Sequence, residues 1–562
     1  MGQLIRINKL TFSYPGTKKL ALEDIQFSIQ KGDFLVLAGT TGSGKTTLLK
    51  QLKQELLPAG QKTGQVLYKG QAIAELEQTS SAQEIGFVAQ NPQTQPIMAT
   101  VIEELAFPLE NLGYSNEVIN SRIAELANFL GLDKFLTRSI KTLSGGQVQL
   151  VNLASVLALK PEIILLDEPT AQLDPTTAQN FLNVLRQVHD ELGTTIVLTE
   201  HRLSRGLGLA NRLIVLQAGK LLCDGSVSEG LRKMAKMPEL SEFVPPIPHF
   251  FLQHRIPVAT LPLSIPAGRH LLAASGERFR LKRNLTPQLV SQGERLLAAK
   301  NITLDFNGHV VLRHLNLELY QGDWLAIIGK NGSGKSTLLS VLAGLLKPQH
   351  GKVRLKNQVV WKLSNQLRLQ KIAYLSQNPL EQFGGKTVRE ELEAQNRLAD
   401  EPFTTQQMVA LMTELQLDDV ANHNVFDLSG GQQQLLGLGI CLVTRPKILL
   451  LDEPTKGLDP VTKGKLSTIL QRVHAQGMTI VMASHDMNFC ARYAKQCTFM
   501  FNGQVNPPVT SRQFFTQNFI FTTAINRLLA NQVPTALFAD DVTRLMTVKG
   551  GEQSDDAQNR LA

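Results

Sequence analysis

The chain has 562 residues, too many for one hydrophobic core, and this length favours about two to four domains. Its hydrophobic content of 43% is ordinary, and no apolar run approaches the roughly 18 residues of a membrane-spanning helix, so we expect a cytoplasmic chain that forms no pore itself. The basic residues behind the formal charge of +9 are scattered, and the four cysteines form no C-x-x-C pair, which argues against a nucleic-acid patch, a zinc site and an iron–sulfur cluster.

The first predicted elements are two β-strands that lead toward a glycine-rich loop. Residues 4–14 and 22–29 alternate as strands do, and Pro15 and Gly16 turn the chain between them. Tyr14 lies upstream of the loop, where its ring could stack on an adenine base. The alternative for Tyr14 is a half-buried position in its strand.

The glycine-rich loop follows an apolar run at 34–38 and precedes a helix that continues to Lys50. It matches a P-loop, in which backbone N–H groups surround the α- and β-phosphates of a nucleotide. The lysine is predicted to reach the β- and γ-phosphate oxygens, and the hydroxyl that follows it is predicted to ligate Mg²⁺. The predicted nucleotide-binding residues here are Gly39, Thr40, Thr41, Gly42, Ser43, Gly44, Lys45, Thr46 and Thr47.

Two later segments place polar residues at the edges of secondary structure. The strand at 84–90 ends in Gln90, which could reach Mg²⁺ or the attacking water, and the periodicity of 100–107 and 116–130 predicts a helical insertion. A Leu-Ser-Gly-Gly-Gln stretch then opens a helix through Ala158 and predicts an anion site. This stretch has no lysine, so its phosphate must be held mainly by another segment. Its predicted binding residues are Ser144, Gly145, Gly146 and Gln147.

Carboxylates and a histidine end two apolar strands. The unalternating run at 163–166 is typical of a buried parallel strand and leads into Asp167 and Glu168. Because ligands of open parallel sheets bind at that edge, Asp167 is predicted to orient the Mg²⁺ shell and Glu168 to polarise water. His201 ends the next strand and is predicted to contact the γ-phosphate. Buried carboxylates held by helix caps and a structural histidine are the alternatives.

All these features recur at a shift of about 284 to 292 residues, which indicates duplication of a whole domain. The predicted nucleotide-binding residues of the second copy are Phe306, Gly329, Lys330, Asn331, Gly332, Ser333, Gly334, Lys335, Ser336, Thr337, Gln377, Ser429, Gly430, Gly431 and Gln432. The predicted catalytic residues of the two copies are Glu168, His201, Glu453 and His485. The predicted metal ligands are Thr46, Gln90, Asp167, Ser336, Gln377 and Asp452.

The predicted division of the chain gives two copies, a linker and a tail. We assign 1–235 to the first copy, 236–294 to the linker, 295–515 to the second copy and 516–562 to the tail. Six prolines between Phe243 and Pro266 predict an extended connector rather than a helix. A helix is expected at 525–529, and 550–562 are predicted to be disordered.

The P-loop, the Gln90 loop, the Leu-Ser-Gly-Gly-Gln stretch, the Asp-Glu strand end and the histidine, in this order and twice, resemble the nucleotide-binding domains of ABC ATPases. The resemblance covers about four fifths of the chain. It implies an α/β fold of two tandem P-loop NTPase domains, each with a RecA-like parallel-sheet core, an antiparallel β subdomain and a helical insertion. It also implies ATP and Mg²⁺ as ligands and a head-to-tail pairing of the two copies. Each ATP would then lie between the P-loop of one copy and Ser144 to Gln147, or Ser429 to Gln432, of the other.

Within that family, the stretches 90–95, 100–113 and 377–382 resemble the fused, duplicated ATPases of energy-coupling factor importers. Those importers take up vitamins and transition-metal ions through a transmembrane scaffold subunit and a small membrane-embedded substrate-binding subunit. The resemblance implies a peripheral protein on the cytoplasmic face of a prokaryotic cell membrane. Gln93 and Leu380 stand where the family often has an acidic residue, and Glu381 could replace that acid in the second copy.

Three functions are compatible with two paired ATPase copies: a transporter ATPase, a soluble ribosome-acting protein and an ATPase acting on DNA. Ribosome-acting relatives usually join their copies by a long charged helical segment, unlike this proline-rich linker, and DNA-repair relatives carry zinc cysteines. A sugar-importer ATPase is the alternative within the first class, although such proteins often have one degraded site. We expect both sites here to hydrolyse ATP, because neither copy lacks its lysine, carboxylate pair or histidine.

Overall fold

The computed structural model describes residues 2–282 and 293–545, and each copy folds around a largely parallel sheet. Across the first sheet the strands are Lys220–Gly225, Arg212–Gln217, Phe34–Gly39, Thr195–Thr199, Ile163–Asp167 and Ile85–Val88. Only the pair at the Lys220–Gly225 edge is antiparallel. Across the second sheet the strands are Ile372–Leu375, Ile448–Asp452, Thr479–Ala483, Trp324–Ile328, Gln496–Phe501 and Gln504–Val505, with Val509–Thr510 also paired to Gln496–Phe501.

The parallel strands bring the predicted site residues to one edge of each sheet. In the first copy Asp167 lies opposite Thr199, and the strand Phe34–Gly39 runs into the P-loop beside them. In the second copy Asp452 lies opposite Ala483, next to the strand Trp324–Ile328. The strands at the centre are fully buried, so their register is fixed by apolar packing on both faces.

A separate antiparallel sheet packs on each parallel sheet. Its strands in the first copy are Leu22–Gln30, Gln3–Ser13, Gln61–Tyr68 and Gln71–Ala72. Its strands in the second copy are His309–Tyr320, Arg295–Phe306, His350–Leu355 and Gln358–Val359. Each antiparallel sheet shares an apolar core with one face of the neighbouring parallel sheet.

Helices cover the other face of each parallel sheet and form the predicted insertion, whereas Lys45–Lys50 and Lys335–Leu342 pack on the face that carries the antiparallel sheet. The α-helices of the first copy are Lys45–Lys50, Gln78–Glu84, Val101–Asn111, Asn116–Leu130, Gly145–Leu157, Pro175–Leu192, Leu203–Gly206 and Val227–Met234. Those of the second copy are Lys335–Leu342, Asn365–Lys371, Val388–Asn396, Thr405–Leu415, Gly430–Val443, Pro460–Ala475, Met487–Tyr493 and Ser511–Gln517. Short 3₁₀ helices lie at Gln54–Leu56, Ile73–Glu75, Pro92–Thr94, Asp133–Phe135, Ile140–Thr142, Val360–Lys362, Pro379–Gln382, Asp418–Val420, Val425–Asp427 and Ala539–Asp541.

These elements confirm the predicted fold class: an α/β chain with two P-loop domains, each carrying a parallel core, an antiparallel sheet and a helical insertion. In the parts of the chain that the structure describes, no helix combines the length and apolar composition needed to cross a membrane. The four cysteines are buried free thiols.

The prediction of an extended linker is wrong. The structure has α-helices at Pro238–Ser241, Pro246–Gln253 and Ile265–Ala274 and a strand at Arg278–Leu281. Each helix carries a proline in its first or second position. Proline is tolerated there, because the N–H groups of the first turn have no intrahelical partner and the fixed φ suits a helix start. The prolines therefore start helices in this segment.

The linker and the tail fold together. The tail helix Ala524–Leu529, expected from the sequence, packs on the linker helices, and the tail strand Val542–Leu545 pairs antiparallel with Arg278–Leu281. Phe250, Phe251 and Leu529 are fully buried in the apolar core that also fills the first copy. The tail from 516 to 545 is thus ordered, and the predicted disorder of 550–562 lies outside the described residues.

Candidate active sites

Both P-loops hold their lysine inward by the same contacts. Lys45 Nζ donates to the carbonyl oxygens of Gly39 and Thr40, both at 3.0 Å. Lys335 Nζ donates to those of Gly329 and Lys330 at 2.9 and 3.0 Å. Burial lowers the pKa of both lysines below the ordinary value, opposed by the nearby carboxylates. Each buried ammonium therefore gains from a further anionic partner, as a nucleotide phosphate would provide.

The glycines of both loops are required by close backbone approach. Gly44 has φ 99° and Gly334 has φ 101°, values that favour glycine, and each directly precedes its helix. A Cβ at Gly39 would lie 2.3 Å from the carbonyl oxygen of Leu216. Inside the loops the buried hydroxyl oxygens of Ser43 and Ser333 have no hydrogen-bond partner among the described residues. These unpartnered groups fit a phosphate cradle.

The first carboxylate pair is joined to the P-loop. Asp167 Oδ1 accepts hydrogen bonds from the hydroxyls of Thr46 at 3.1 Å and Thr199 at 2.9 Å. Burial and the neighbouring Glu168 carboxylate raise the pKa of Asp167 above its usual range. A buried carboxylate beside a threonine hydroxyl supplies the hard oxygen ligands that Mg²⁺ prefers.

Glu168 is held from two sides. The side-chain amide of Gln90 donates to Glu168 Oε2 at 3.0 Å, and His201 Nε2 lies 2.5 Å from Glu168 Oε1. The backbone of Glu168 has φ 45°, in the left-handed region that is unusual for a residue other than glycine. The strained turn ends the apolar strand and directs this carboxylate toward Gln90 and His201.

The second carboxylate pair repeats this arrangement with different partners. Burial raises the pKa of Asp452, opposed by the nearby Ser336 side chain, and the Tyr374 hydroxyl donates to Asp452 Oδ2 at 3.4 Å. Asp452 Oδ1 is buried and has no hydrogen-bond partner in residues 2–282 and 293–545. This orphaned carboxylate oxygen and the Ser336 hydroxyl fit a divalent cation of the Mg²⁺ type.

The pKa values of Glu453 and His485 are strongly shifted, in opposite directions. Burial raises the pKa of Glu453 to about 7, and its backbone φ of 49° repeats the strain seen at Glu168. Burial and the adjacent Lys335 lower the pKa of His485 to about 4. His485 Nε2 lies 3.2 Å from Lys335 Nζ and 3.4 Å from Glu453 Oε1. A neutral imidazole at this position accepts from the lysine ammonium through Nε2.

Each Leu-Ser-Gly-Gly-Gln stretch forms a capping box at the start of its helix. Ser144 Oγ accepts from the Gln147 N–H at 3.4 Å, and Gln147 Oε1 accepts from the Ser144 N–H at 2.9 Å. Ser429 and Gln432 make the same pair of bonds at 3.3 and 3.0 Å. The two glycines between them start the helix, so this end carries the partial positive charge that favours an anion.

A cleft of about 240 Å³ lies between the two copies, and residues from both line it. The first copy contributes Ser144, Gly145, Gly146, Asp174 and Arg202, and the second contributes Asn331, Gln377, Glu453, Lys456 and His485. The cleft therefore joins the lysine-free loop of the first copy to the P-loop and carboxylate side of the second.

The first P-loop also contacts the opposite copy. The Thr41 hydroxyl donates to the carboxylate of Asp459, which caps the helix Pro460–Ala475. Asp459 also accepts a hydrogen bond from the Thr462 N–H at 2.8 Å. His201 lies near enough to help lower the pKa of Asp459. Thr41 and Asp459 thus connect the first nucleotide loop to the second copy.

The predicted adenine-stacking residues are accessible. Tyr14 is 38% exposed and directly follows the strand Gln3–Ser13, and Phe306 is 49% exposed and ends the strand Arg295–Phe306. The Tyr14 hydroxyl is 3.1 Å from the Thr47 hydroxyl. Both side chains are therefore partly accessible to solvent, and Tyr14 lies close to its P-loop.

Sequence reasoning missed the aspartates that cap the helices after each Asp-Glu pair. Asp174 and Asp459 stand in a repeated Leu-Asp-Pro stretch, and that repetition was a usable signal. It also missed Thr199, whose hydroxyl accepts from the Glu168 N–H at 2.8 Å and donates to Asp167. The left-handed backbone of the two glutamates carries no sequence signal, because glycine is absent there.

Comparisons with known proteins agree with this geometry. The family model described as ABC transporter matches residues 22–171 and 312–456. An ABC transporter ATP-binding protein, provisionally so named, from Bacillus thuringiensis subsp. konkukian is 42% identical over 538 residues, covering 95% of this chain and 97% of that protein. A Bacillus subtilis protein with the provisional name of HMP/thiamine import ATP-binding protein is 33% identical over 498 residues, covering 88% of this chain and 89% of its own length.

Two solved structures are also similar to this chain. The archaeal ribosome recycling factor, solved with an archaeal ribosomal stalk protein, has a TM-score of 0.57 at 20% identity and covers 93% of this chain and 92% of its own. This likeness shows the fold shared by the two copies and nothing of the chain's partners. The cbiO1 protein of Clostridium perfringens, part of the ABC transporter complex cbiONQ, has a TM-score of 0.38 at 25% identity and covers 42% of this chain and 96% of its own.

Proposed function

Because this chain belongs to the ABC transporter family of ATP-binding proteins, we propose that it energises an importer of the energy-coupling factor type. The chain is an ATPase with two ATP-binding copies fused in one polypeptide. The observation that carries the finer proposal is the 33% identity, across both copies, to the Bacillus subtilis protein named for import of HMP and thiamine. Thiamine is a vitamin, the cargo class implied by the sequence around the two Gln loops.

The proposed sites are composite. ATP at the second site lies between the P-loop at Lys335 and the helix start at Ser144, and the cleft lined by both copies supports this. ATP at the first site lies between the P-loop at Lys45 and the helix start at Ser429. Each helix start adds N–H groups and a dipole to phosphate that the opposite lysine already binds.

In the proposed reaction, Glu168 and Glu453 each accept a proton from the attacking water through a carboxylate oxygen. Gln90 and His201 hold Glu168 in place, and the backbone N–H of His485 holds Glu453 by donating to its Oε2 at 3.1 Å. Thr46 with Asp167, and Ser336 with Asp452, would hold Mg²⁺. When bound, Mg²⁺ neutralises charge on the phosphate oxygens.

Energy transfer to the membrane is proposed to run through the surface beyond Gln90 and Gln377. ATP would draw the copies together, and the loops would carry this closure to membrane subunits as a rigid-body movement. We define the first docking surface as 93–98 and the second as 380–385. Ile97 on the first is 70% exposed, which supports an apolar contact there with a partner.

The two docking surfaces differ in charge, which suits one asymmetric scaffold subunit. Glu381 is exposed, and its carboxylate accepts from the Asn378 side chain at 3.1 Å. Thr94, at the corresponding place, carries no charge. An acid that pairs with a scaffold arginine would anchor the second surface more strongly than the first.

The test is purification of the full chain from detergent-solubilised membranes of its host, with mass spectrometry of what remains bound. The proposal predicts one multi-span scaffold protein together with a small membrane-embedded protein. Recovery of ribosomes would instead indicate a ribosome-acting protein. Recovery of the paired permeases of a sugar importer would indicate a sugar-importer ATPase.

A further inference from the structure

The residue after each active-site histidine carries opposite charge in the two copies. His201 is followed by Arg202, whereas His485 is followed by Asp486. Arg202 and Asp486 both line the cleft between the copies, as equivalent positions near an approximate two-fold axis do. These two charges therefore stand where the copies meet.

Arg202 reaches across the interface. Its guanidinium Nη2 donates to the backbone carbonyl of Thr455 in the second copy at 3.2 Å, and Arg202 also lines the cleft between the copies. Its positive charge is one of the causes that lower the pKa of Asp486. The first copy thus places a cation against the second copy beside this carboxylate.

Asp486 is a partly buried anion with cations on both sides. Lys463 Nζ, in its own copy, lies 2.6 Å from Asp486 Oδ2, and the Phe489 N–H donates to Asp486 Oδ1 at 3.1 Å. With Arg202 opposite, these partners lower the pKa of Asp486 to about 2 despite burial. The carboxylate is therefore charged at any physiological pH.

The other charged groups around this pair are also unequal between the copies. Arg205 donates to the Thr170 carbonyl at 3.2 Å in the first copy, where the second copy has Phe489. Lys456 and Lys463 of the second copy stand where the first copy has Ala171 and Ala178. Asp174 also faces this region and helps to raise the pKa of Lys456 against burial.

Pairing of like copies from two chains would lose this complementarity. Two first copies would set Arg202 against a second Arg202, with Arg205 close to each. Two second copies would set Asp486 against a second Asp486. Like charges opposed at a partly buried interface are disfavoured, whereas the mixed pair gains attraction.

We propose that Arg202 and Asp486 form an electrostatic key that makes the first copy pair with the second copy and not with its like in another chain. The key depends on the contact between the copies and not on the proposed import function, so the isolated full chain is enough to test it. If purification from membranes recovered no scaffold protein, the import proposal would fail, but the pairing of the two copies through Arg202 and Asp486 could still be confirmed.

The test is a charge-reversal series on the full chain, read as steady-state ATPase activity. Arg202→Asp and Asp486→Arg are each expected to lower activity at least tenfold, since each opposes like charges. The combination Arg202→Asp with Asp486→Arg and Lys463→Ala restores opposite charges and should recover activity to within about threefold of the parent. Lys463→Ala is included because Lys463 would repel an arginine at position 486.

Two controls keep the result interpretable. Arg472→Glu disrupts an exposed ion pair with Glu414 inside the second copy, 2.8 Å apart, and should leave activity unchanged. Thermal melting of every variant separates loss of folding from loss of pairing. Single reversals that keep parental activity would contradict the proposal that Arg202 and Asp486 select which copies pair. A combined variant that folds but is no more active than the single reversals would contradict it as well.

Discussion

Thr41 in the first P-loop donates a hydrogen bond to Asp459 in the second copy, 418 residues later in the chain. The bond ties a nucleotide loop of one copy to a helix cap of the other. The corresponding residues on the opposite side, Asn331 and Asp174, both line the open cleft. The two sites are therefore built from equivalent parts but differ in the contact that closes them.

Thr41→Ala should weaken turnover at the first site about tenfold. A hydrogen bond to a carboxylate contributes about 1.5–3 kcal/mol, and the change leaves the Asp459 cap bond to Thr462 in place. The measurement is ATPase activity in a Glu453→Gln background, where only the first site turns over. Thr41→Ser keeps the hydroxyl and serves as the control. Equal activity of the alanine and serine variants would rule out a role for the bond.

Glu168→Gln and Glu453→Gln should each reduce ATP turnover by roughly tenfold or more at the altered site, because each removes the carboxylate that accepts the proton of water. Nucleotide binding, measured by equilibrium titration with a fluorescent ATP analogue, should stay close to that of the parent. The double variant should be inactive. A single variant that keeps full turnover would show that the substituted glutamate is not needed for ATP hydrolysis.

Turnover at the second site should fall as pH drops below 7. Glu453 must be ionised to accept a proton, and its pKa of about 7 leaves about a tenth of it ionised at pH 6. His485, with a pKa of about 4, stays neutral over this range and does not produce the decline. The measurement is kcat/KM for ATP from pH 5.5 to 8.5 in a Glu168→Gln background. A flat profile would contradict the role of Glu453 as the base.

Arg544→Met should destabilise the unit formed by linker and tail by about 3–5 kcal/mol, because it leaves a buried carboxylate unpaired. Arg544 pairs with Glu277, which is buried, and also donates to the carbonyls of His254 at 3.2 Å and Arg255 at 3.1 Å. Hydrogen exchange should rise across 246–282. Lys356→Met breaks an exposed pair with Glu294 and should cost about 0–1 kcal/mol. Unchanged exchange in Arg544→Met would contradict a joint fold.

The sequence predicted the parts of each copy that repeat. The strand ends at Asp167 and Asp452 and the loops at Lys45 and Lys335 follow from local pattern, since an apolar strand and a glycine-rich turn need no distant partner. The linker helices could not be predicted this way, because they are stabilised by the tail, which follows more than 200 residues later. The contact of Thr41 with Asp459 likewise depends on how the two copies meet, which no local pattern encodes.

The central claim, that the chain energises an importer by docking asymmetrically on a membrane scaffold, is tested most directly by comparing Glu381→Arg with Thr94→Arg. In the proposed complex Glu381 pairs with a scaffold arginine, and breaking a charge pair buried at an interface costs on the order of 2–5 kcal/mol. Only Glu381→Arg should therefore abolish binding of the scaffold. The measurement is retention of the scaffold protein in pull-downs from detergent-solubilised membranes. We predict retention by the parent chain and by Thr94→Arg, with loss in Glu381→Arg. Equal retention by both variants, or no scaffold with the parent chain, would contradict the claim.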